Sequence, residues 1–332
     1  MKVLVTGGAG FIGSYVVEAL VERGYEVKVF DDLSTGSLEN LSRVAGEMEF
    51  VKGDVRDYGA LAEHVRGVDA VIHEAAVRSV VKSMEDPLTT YLVNAQGTLN
   101  ALWASLRSGV RRFIYASSSS IYGDTPTLPK HEDLKPNPLS PYAASKLAGE
   151  DLCRVFHKAY GLPTVSLRYF NVYGPRQSLS NPYTGVCAIF ISRLLNRKPP
   201  YLFEDGGQLR DFIHVSDVAK ANLKALESSS CDYQAINVGT GRPTSIKRVA
   251  QLLAEALGVE ERPLVSQRFR VGDVRHCYAD TSRAERLLGF KASLSLEDGL
   301  RELASTALKE GWGAQDRFEQ SLKELEERGL VG

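Results

Sequence analysis

Of the fourteen tyrosines in this 332-residue chain, only Tyr142 has a lysine four residues downstream, Lys146. On a helix that spacing puts both side chains on one face, so an ammonium sits beside the phenol and favours phenolate. A phenol ionising near neutral pH can take a proton from a substrate hydroxyl. A serine-rich segment, Ser117 to Ser120, lies upstream and offers hydroxyls to the same chemistry. Taken alone, the Tyr/Lys pair also reads as an ordinary surface pair on a helix.

The N-terminus adds a partner for that chemistry. Lys2-Val3-Leu4-Val5-Thr6 breaks into Gly7-Gly8-Ala9-Gly10-Phe11-Ile12-Gly13 and then into the helix-like SYVVEALVERG. This is strand, phosphate-binding turn, helix. Glycines let the backbone approach a pyrophosphate, and the amides opening the helix favour its charge. Read as Gly8-x-Gly10-x-x-Gly13 or Gly7-x-x-Gly10-x-x-Gly13, the site is the same. A second strand, EVKVF, ends in Asp31 and Asp32. Asp31 is placed to hold adenine ribose hydroxyls, and two carboxylates with no arginine beside them repel a 2′-phosphate, so NAD is expected rather than NADP.

These groups need a scaffold. Strand-like segments KVLVT, EVKVF, EFVKGD, AVIHEA, RFIYAS and TVSLRYF alternate with helical stretches, which predicts an α/β fold with a doubly wound parallel (Rossmann) sheet. Ligands bind at the carboxyl ends of such strands. Gly7 to Gly13, Asp31, Asp54, Ala75, Ser118 and Asn171 all fall there. After Asn171 the texture changes to loops rich in proline and glycine. Residues 1–171 and 212–238 are expected to form the NAD-binding domain, 172–211 and 239–310 an interleaved α+β substrate-binding lobe, and 311–332 a charged helical tail.

Composition narrows the class. A net charge of −1 argues against a nucleic-acid surface. The N-terminal apolar run is too short for a signal peptide's core and no stretch approaches a membrane span, so a cytoplasmic location is expected. Cys153, Cys187, Cys231 and Cys277 lie far apart with no histidine cluster beside them. No metal site is expected, and disulfides are not implied.

With both motifs in place, the chain resembles the extended short-chain dehydrogenase/reductase family, and within it the nucleotide-sugar 4-epimerases. The resemblance covers nearly the whole chain. It is carried by TGGAGFIG, YAASK, GDVRD at 53–57, VIHEAA at 71–76, ASSSSIYGD at 116–124, LRYFNVYGPRQ at 167–177, RDFIHVSDVA at 210–219, NVGTG at 237–241 and RVGDVRHCYAD at 270–280. Their order and spacing together carry the assignment.

The resemblance implies a site. Tyr142, Lys146 and Ser118 are the expected catalytic residues, with the Ser118 hydroxyl on the sugar's O4 while Tyr142 takes the proton. The cofactor is expected to meet Asp54 and Val55 at its adenine, the Ala75 and Ala76 backbone, and Asn94, although Asn94 also reads as a helix residue facing solvent. Arg210, Arg270 and Asn171 are expected on the diphosphate, Asp273 on the nucleotide ribose, and Phe203 or Tyr201 on the base. Either arginine could instead be a surface ion pair. Cys277 falls where the family gates the sugar's C2 substituent, or else is a small buried residue whose space Tyr278 fills. His214 and His276 are expected to be structural. Glu74 departs from the apolar or amide residue common at its position, and its role stays open.

The implied activity is 4-epimerisation of a UDP-hexose by a homodimer. The N-acetylated pair is a further candidate substrate. Epimerases of dTDP- or GDP-sugars or of UDP-glucuronate, a reductase or decarboxylase on the same scaffold, and a non-catalytic dinucleotide-sensing regulator are the alternatives. In related 4,6-dehydratases an acidic pair occupies the two positions that hold Ser119 and Ser120 here, which argues against dehydration.

Overall fold

Seven parallel strands run through the centre of the molecule: β1 (Lys2–Thr6), β2 (Glu26–Asp31), β3 (Met48–Lys52), β4 (Ala70–His73), β5 (Arg112–Ser118), β6 (Thr164–Tyr169) and, returning later in the chain, β10 (Ala235–Val238). The structure is a computed structural model that describes residues 1–177, 185–260, 262–270, 272–309 and 316–331. Residues 178–184, where a loop is expected, and the expected start of the tail at 311 lie outside the described residues. The sheet order is β10-β6-β5-β4-β1-β2-β3. The strand order therefore reverses between β1 and β4, which opens a crevice at their carboxyl ends.

Both faces of this sheet are covered, which is why β4 and β6 are buried along their whole length. Alternation sorts the side chains. Val3, Val5, Ile72 and Ile114 pack with Val16, Val17 and Leu20 of the first helix (Phe11–Glu22) and with Val218 and Ala221. Leu4, Val71, Phe113 and Tyr115 face the other way, onto Leu61, Val65, Leu102 and Phe156. Each fully buried side chain of this kind contributes about 1.5–3 kcal/mol.

A smaller lobe has its own apolar centre, which includes Phe190, Ile191, Leu194, Leu253, Leu300 and Leu303. Its sheet joins β7 (Asn171–Tyr173), β9 (Leu209–His214), β11 (Pro243–Ser245) and β13 (His276–Cys277), with β9 pairing each of the others. A separate pair is made by β8 (Tyr201–Leu202) and β12 (Leu264–Val265).

The division expected at residue 212 needs correcting, because 212–214 belong to β9 and hence to the small sheet. The reason lies in the middle of that strand. Asp211 is fully buried and accepts from the Thr240 amide (2.8 Å) and hydroxyl (2.7 Å), the Gly241 amide (2.8 Å) and the Ala279 amide (3.1 Å). A buried carboxylate needs such donors, and the segments at 240–241 and 279 supply them here. The chain rejoins the larger body with the helix Val215–Glu227, which packs on the first helix, and with β10 beside β6. Among the described residues no helix is long and apolar enough to cross a membrane.

Candidate active site

The glycine turn sits at the crevice. Gly10 caps the first helix in an extended conformation with no side-chain cap, so the Phe11 and Ile12 amides of the opening turn have no intrahelical acceptor. Gly13 allows the turn to close on itself, since a Cβ there would lie 2.2 Å from the Gly7 carbonyl oxygen. Asp31, at the end of β2, is buried and fixed by two backbone amides, Ala9 at 3.0 Å and Leu33 at 2.8 Å. Burial pushes its carboxyl up, and those two amides work against the rise. The uncapped helix start and the aimed carboxylate suit a pyrophosphate and a ribose, so the residues fit a dinucleotide.

The other expected cofactor contacts ring the same edge. Asp32 accepts from the Ser34 amide at 2.8 Å. Asp54 lies two residues beyond β3 and is gripped by Arg56, with Nε at 2.9 Å, which holds its carboxyl below the usual range. Val55 is buried and packs against Gly97. Ala75 and Ala76 follow β4, with the Ala75 backbone laid against Gly7. Asn94 does not face solvent. It is 1% exposed, accepts from the Val77 amide (2.7 Å), and donates to the Val77 carbonyl (2.9 Å) and the Ser145 hydroxyl (3.0 Å). Its amide ties the segment after β4 to the tyrosine helix.

That helix runs from Pro141 to Tyr160. Ser140 caps it by accepting from the Ala143 amide at 3.1 Å, proline fills the first turn, and Gly161 ends it in a left-handed conformation. Gly149 brings it close to the sheet, because a Cβ there would meet the Tyr115 hydroxyl at 2.3 Å. Arg168 of β6 and Ser117 of β5 both bind Glu150 and anchor the helix from below.

Ser118, Tyr142 and Lys146 meet at the carboxyl end of β5. The Ser118 hydroxyl stands beside Tyr142 and favours its ionised form. It also accepts from the Ser120 amide (3.2 Å) and hydroxyl (2.9 Å). The expectation that Lys146 draws the phenol's pKa down is corrected by this geometry. Lys146 Nζ donates to the Ala116 carbonyl at 2.7 Å, and burial raises the Tyr142 pKa, with Ser118 and then Arg78 acting against the rise. Desolvation of a buried phenol outweighs both. Lys146 itself is brought down to about 8, first by burial, with Glu74 opposing.

On the lobe side, Asp273 stands between two arginines. Arg210 Nη2 reaches Asp273 at 2.7 Å and the Val274 carbonyl at 2.6 Å, and Arg270 Nη2 lies 3.3 Å from the other carboxylate oxygen. The Arg270 guanidinium covers the Phe203 ring at 4.6 Å, and Tyr201 packs edge-on to that ring at 5.2 Å. Arg270 Nε is buried without a partner, an unmet donor of the kind an anion would satisfy. Asn171 opens β7, half-buried. Cys277 is 4% exposed and packs with Tyr122, Phe170 and Ala279. Its thiol is pushed up by burial, with Arg210, Lys130 and then Ser119 acting against the rise. His276 accepts from the Leu209 amide (3.2 Å), and His214 bonds the Ser216 hydroxyl (2.8 Å).

Two residues at the site escape sequence reasoning. Arg78 is the cation acting on Tyr142, and nothing in a lone arginine 64 positions earlier announces it. Asp211 fixes the loop before β11 and the end of β13. Its one sequence signal is a charged pair, Arg210-Asp211, flanked by Leu209 and Phe212-Ile213.

A parallel sheet with a dinucleotide turn at its switch point and a Tyr/Lys pair at the same edge defines an NAD-dependent short-chain dehydrogenase/reductase of the extended type. Residues 3–239 match the NAD dependent epimerase/dehydratase family, and the chain belongs to it, as a nucleotide-sugar 4-epimerase type with NAD as cofactor. The chain is 39% identical to the UDP-glucose 4-epimerase of Mycolicibacterium smegmatis over 306 residues, 90% of this chain and 96% of that one. Among solved structures it resembles the UDP-N-acetylglucosamine 4-epimerase of Methanobrevibacter ruminantium in complex with UDP-N-acetylmuramic acid (TM-score 0.88, 37% identity, 93% of this chain and 98% of that one). It also resembles the UDP-glucose 4-epimerase of Thermus thermophilus in complex with NAD (TM-score 0.84, 39% identity, 92% and 98%).

Proposed function

We propose that the chain interconverts the C4 epimers of a UDP-hexose, UDP-glucose and UDP-galactose first and their N-acetylated counterparts as well, through a transient 4-keto sugar. The observation that carries this reading is the meeting of Ser118, Tyr142 and Lys146 at the crevice, with hydroxyls rather than carboxyls at 119 and 120. Tyr142 takes the proton of the C4 hydroxyl while Ser118 holds that oxygen. NAD, when bound, takes up the C4 hydride and gives it back. Gly7, Gly10, Phe11, Ile12 and Gly13 cradle its pyrophosphate, Asp31 its ribose, and Asp54 with Val55 its adenine. Ala75, Ala76 and Asn94 line the segment between.

Arg210, Arg270 and Asn171 clamp the diphosphate, which suits the fork geometry of guanidinium and the unmet Arg270 Nε donor. Asp273 accepts from the uridine ribose and Phe203 stacks on the base. With the diphosphate held, the keto sugar turns between its two faces. Ser119 and Ser120 supply neither the acid nor the base that loss of water across C5 and C6 requires.

Leu99 and Trp103 on the helix Gly97–Arg107, and Val155 and Tyr160 on the tyrosine helix, are exposed. This apolar surface supports a homodimer. A cytoplasmic setting accords with nucleotide-sugar chemistry.

The test is incubation with a panel of UDP-, dTDP- and GDP-sugars, with products separated by chromatography. C4 epimers of UDP-hexoses are expected. A 4-keto-6-deoxy sugar accumulating in quantity would make the chain a dehydratase instead.

A further inference from the structure

The carboxyl that follows β4 has no part in the reading above. Glu74 stands one rung beyond the His73–Tyr115 pairing, beside Ala116 of β5, and the Ala116 carbonyl is the acceptor of Lys146 Nζ at 2.7 Å. Adjacent strands are about 4.8 Å apart, so Glu74 lies one strand from the catalytic ammonium. Its side chain is fixed. Tyr169 Oη, at the end of β6, donates to Glu74 Oε1 at 2.6 Å, and Asn222 of the helix Val215–Glu227 donates to Tyr169 Oη at 2.7 Å. A chain of hydrogen bonds thus runs from that helix to Glu74, which stands beside small Ala116 at the catalytic edge.

The charged and titratable groups facing this carboxyl are few. The tyrosine helix brings Lys146 and Tyr142, and β6 brings Tyr169. The helix behind brings uncharged Asn222, and β1 brings Thr6. In its own segment, His73 is turned away between Thr6 and Thr98, and Arg78 acts on Tyr142.

We propose that Glu74 is a positioning residue for the epimerisation, one whose carboxylate, carried on Tyr169 and Asn222, sets the ionisation of Tyr142 and Lys146 together and so fixes the pH range of turnover. The inference rests on the epimerase reading. A negative charge at this point favours every proton nearby, and it raises both the Tyr142 and the Lys146 pKa. Burial pushes the Glu74 carboxyl up to about 7, against the Tyr169 hydrogen bond and Lys146. The charge is therefore itself adjustable across neutral pH.

Glu74→Gln keeps the volume and the acceptor for Tyr169 and removes only the charge. Both limbs of the kcat/KM profile should move to lower pH, by about half a unit to one unit. A second readout needs no turnover: the Tyr142 tyrosinate absorbance of NAD-loaded protein, taken as a difference from Tyr142→Phe, should move the same way. Tyr169→Phe deletes the donor that keeps Glu74 ionised, so its shift should have the same direction and a smaller size. It also decides the matter if Glu74→Gln does not fold. A Tyr142 titration unmoved in the folded variants would overturn the proposal and leave Glu74 a mere acceptor. Wild-type protein that epimerises no sugar nucleotide would sink the epimerase reading instead, with the spectroscopic titration still able to judge Glu74.

Discussion

Lys146 Nζ donates to the carbonyl of Ala116, 2.7 Å away, and not to the phenol of Tyr142 on the preceding turn. The lysine is thereby pinned to the end of β5, where its charge is fixed relative to the sheet rather than to its helix neighbour. Tyr142 is left with Ser118 as its partner and Arg78 as the cation acting on it. Proton transfer at this edge therefore depends on three separate chain segments.

Replacing Tyr142 by Phe removes the acid/base group and keeps the ring. Turnover should fall by roughly two or more orders of magnitude, while sugar-nucleotide affinity measured by calorimetry changes little. Near-normal turnover in Tyr142→Phe would show that another group takes the C4 proton.

Lys146 is brought down to about 8 by burial, so its ammonium is lost as pH rises through that value, and the alkaline limb of the wild-type profile is expected near pH 8. Lys146→Ala should slow the reaction and remove that alkaline limb, so that the optimum moves upward. Arg78→Gln should move the acid limb upward too. A profile identical to wild type in both variants would place the controlling cation elsewhere.

Purified protein is expected to release NAD on denaturation without any having been added. The cycle returns the cofactor to its starting state, and the turn at Gly7 to Gly13 with Asp31 encloses it. Gly13→Ala drives a Cβ to 2.2 Å from the Gly7 carbonyl oxygen, so it should open the turn and abolish the bound nucleotide, read by absorbance of the released fraction. Full NAD occupancy in Gly13→Ala would show that the turn tolerates the displacement.

Acid sensitivity should be traceable to His73. It is buried between the Thr6 hydroxyl (2.7 Å) and the Thr98 hydroxyl (3.1 Å), and burial lowers its pKa to about 3. The unfolded chain takes up a proton near pH 6.5 and the folded one does not. Stability is thus full above about 6.5 and is lost as pH falls toward 3, by several kcal/mol at the limit. The fall in Tm between pH 7.5 and pH 5 should be smaller in His73→Gln than in wild type. An equal fall in both would assign the acid sensitivity to other groups.

What the sequence makes legible is what is local. The spacing of Tyr142 and Lys146 and the glycine turn after β1 each act within a few residues, so their geometry follows from helix and turn rules alone. The alternation of strands and helices likewise predicts the parallel sheet. Pairings distant in sequence are not legible. Tyr169 meets Glu74 across 95 residues, and Lys146 selects a carbonyl 30 residues earlier. Phe212-Ile213 look like the start of a main-sheet strand, yet Asp211 beside them meets the donors of the lobe. Such choices are made by desolvation and by which partners the fold delivers, quantities that no single segment contains.

Substrate width should turn on Cys277. Its Cα pairs in register with Arg210 on β9 and Ser119 acts on its thiol, which places the side chain between the proposed diphosphate clamp and the serine segment. It is packed by Tyr122, Phe170 and Ala279, so a larger side chain can grow only toward the sugar or at the cost of overpacking. With cysteine there, UDP-N-acetylglucosamine and its galacto epimer should be accepted along with UDP-glucose and UDP-galactose. Cys277→Tyr should abolish activity on the N-acetylated pair and spare the plain hexoses, whose continued turnover also certifies that the variant folds. Equal loss on both pairs, or no change on either, would show that this position does not choose between C2 substituents.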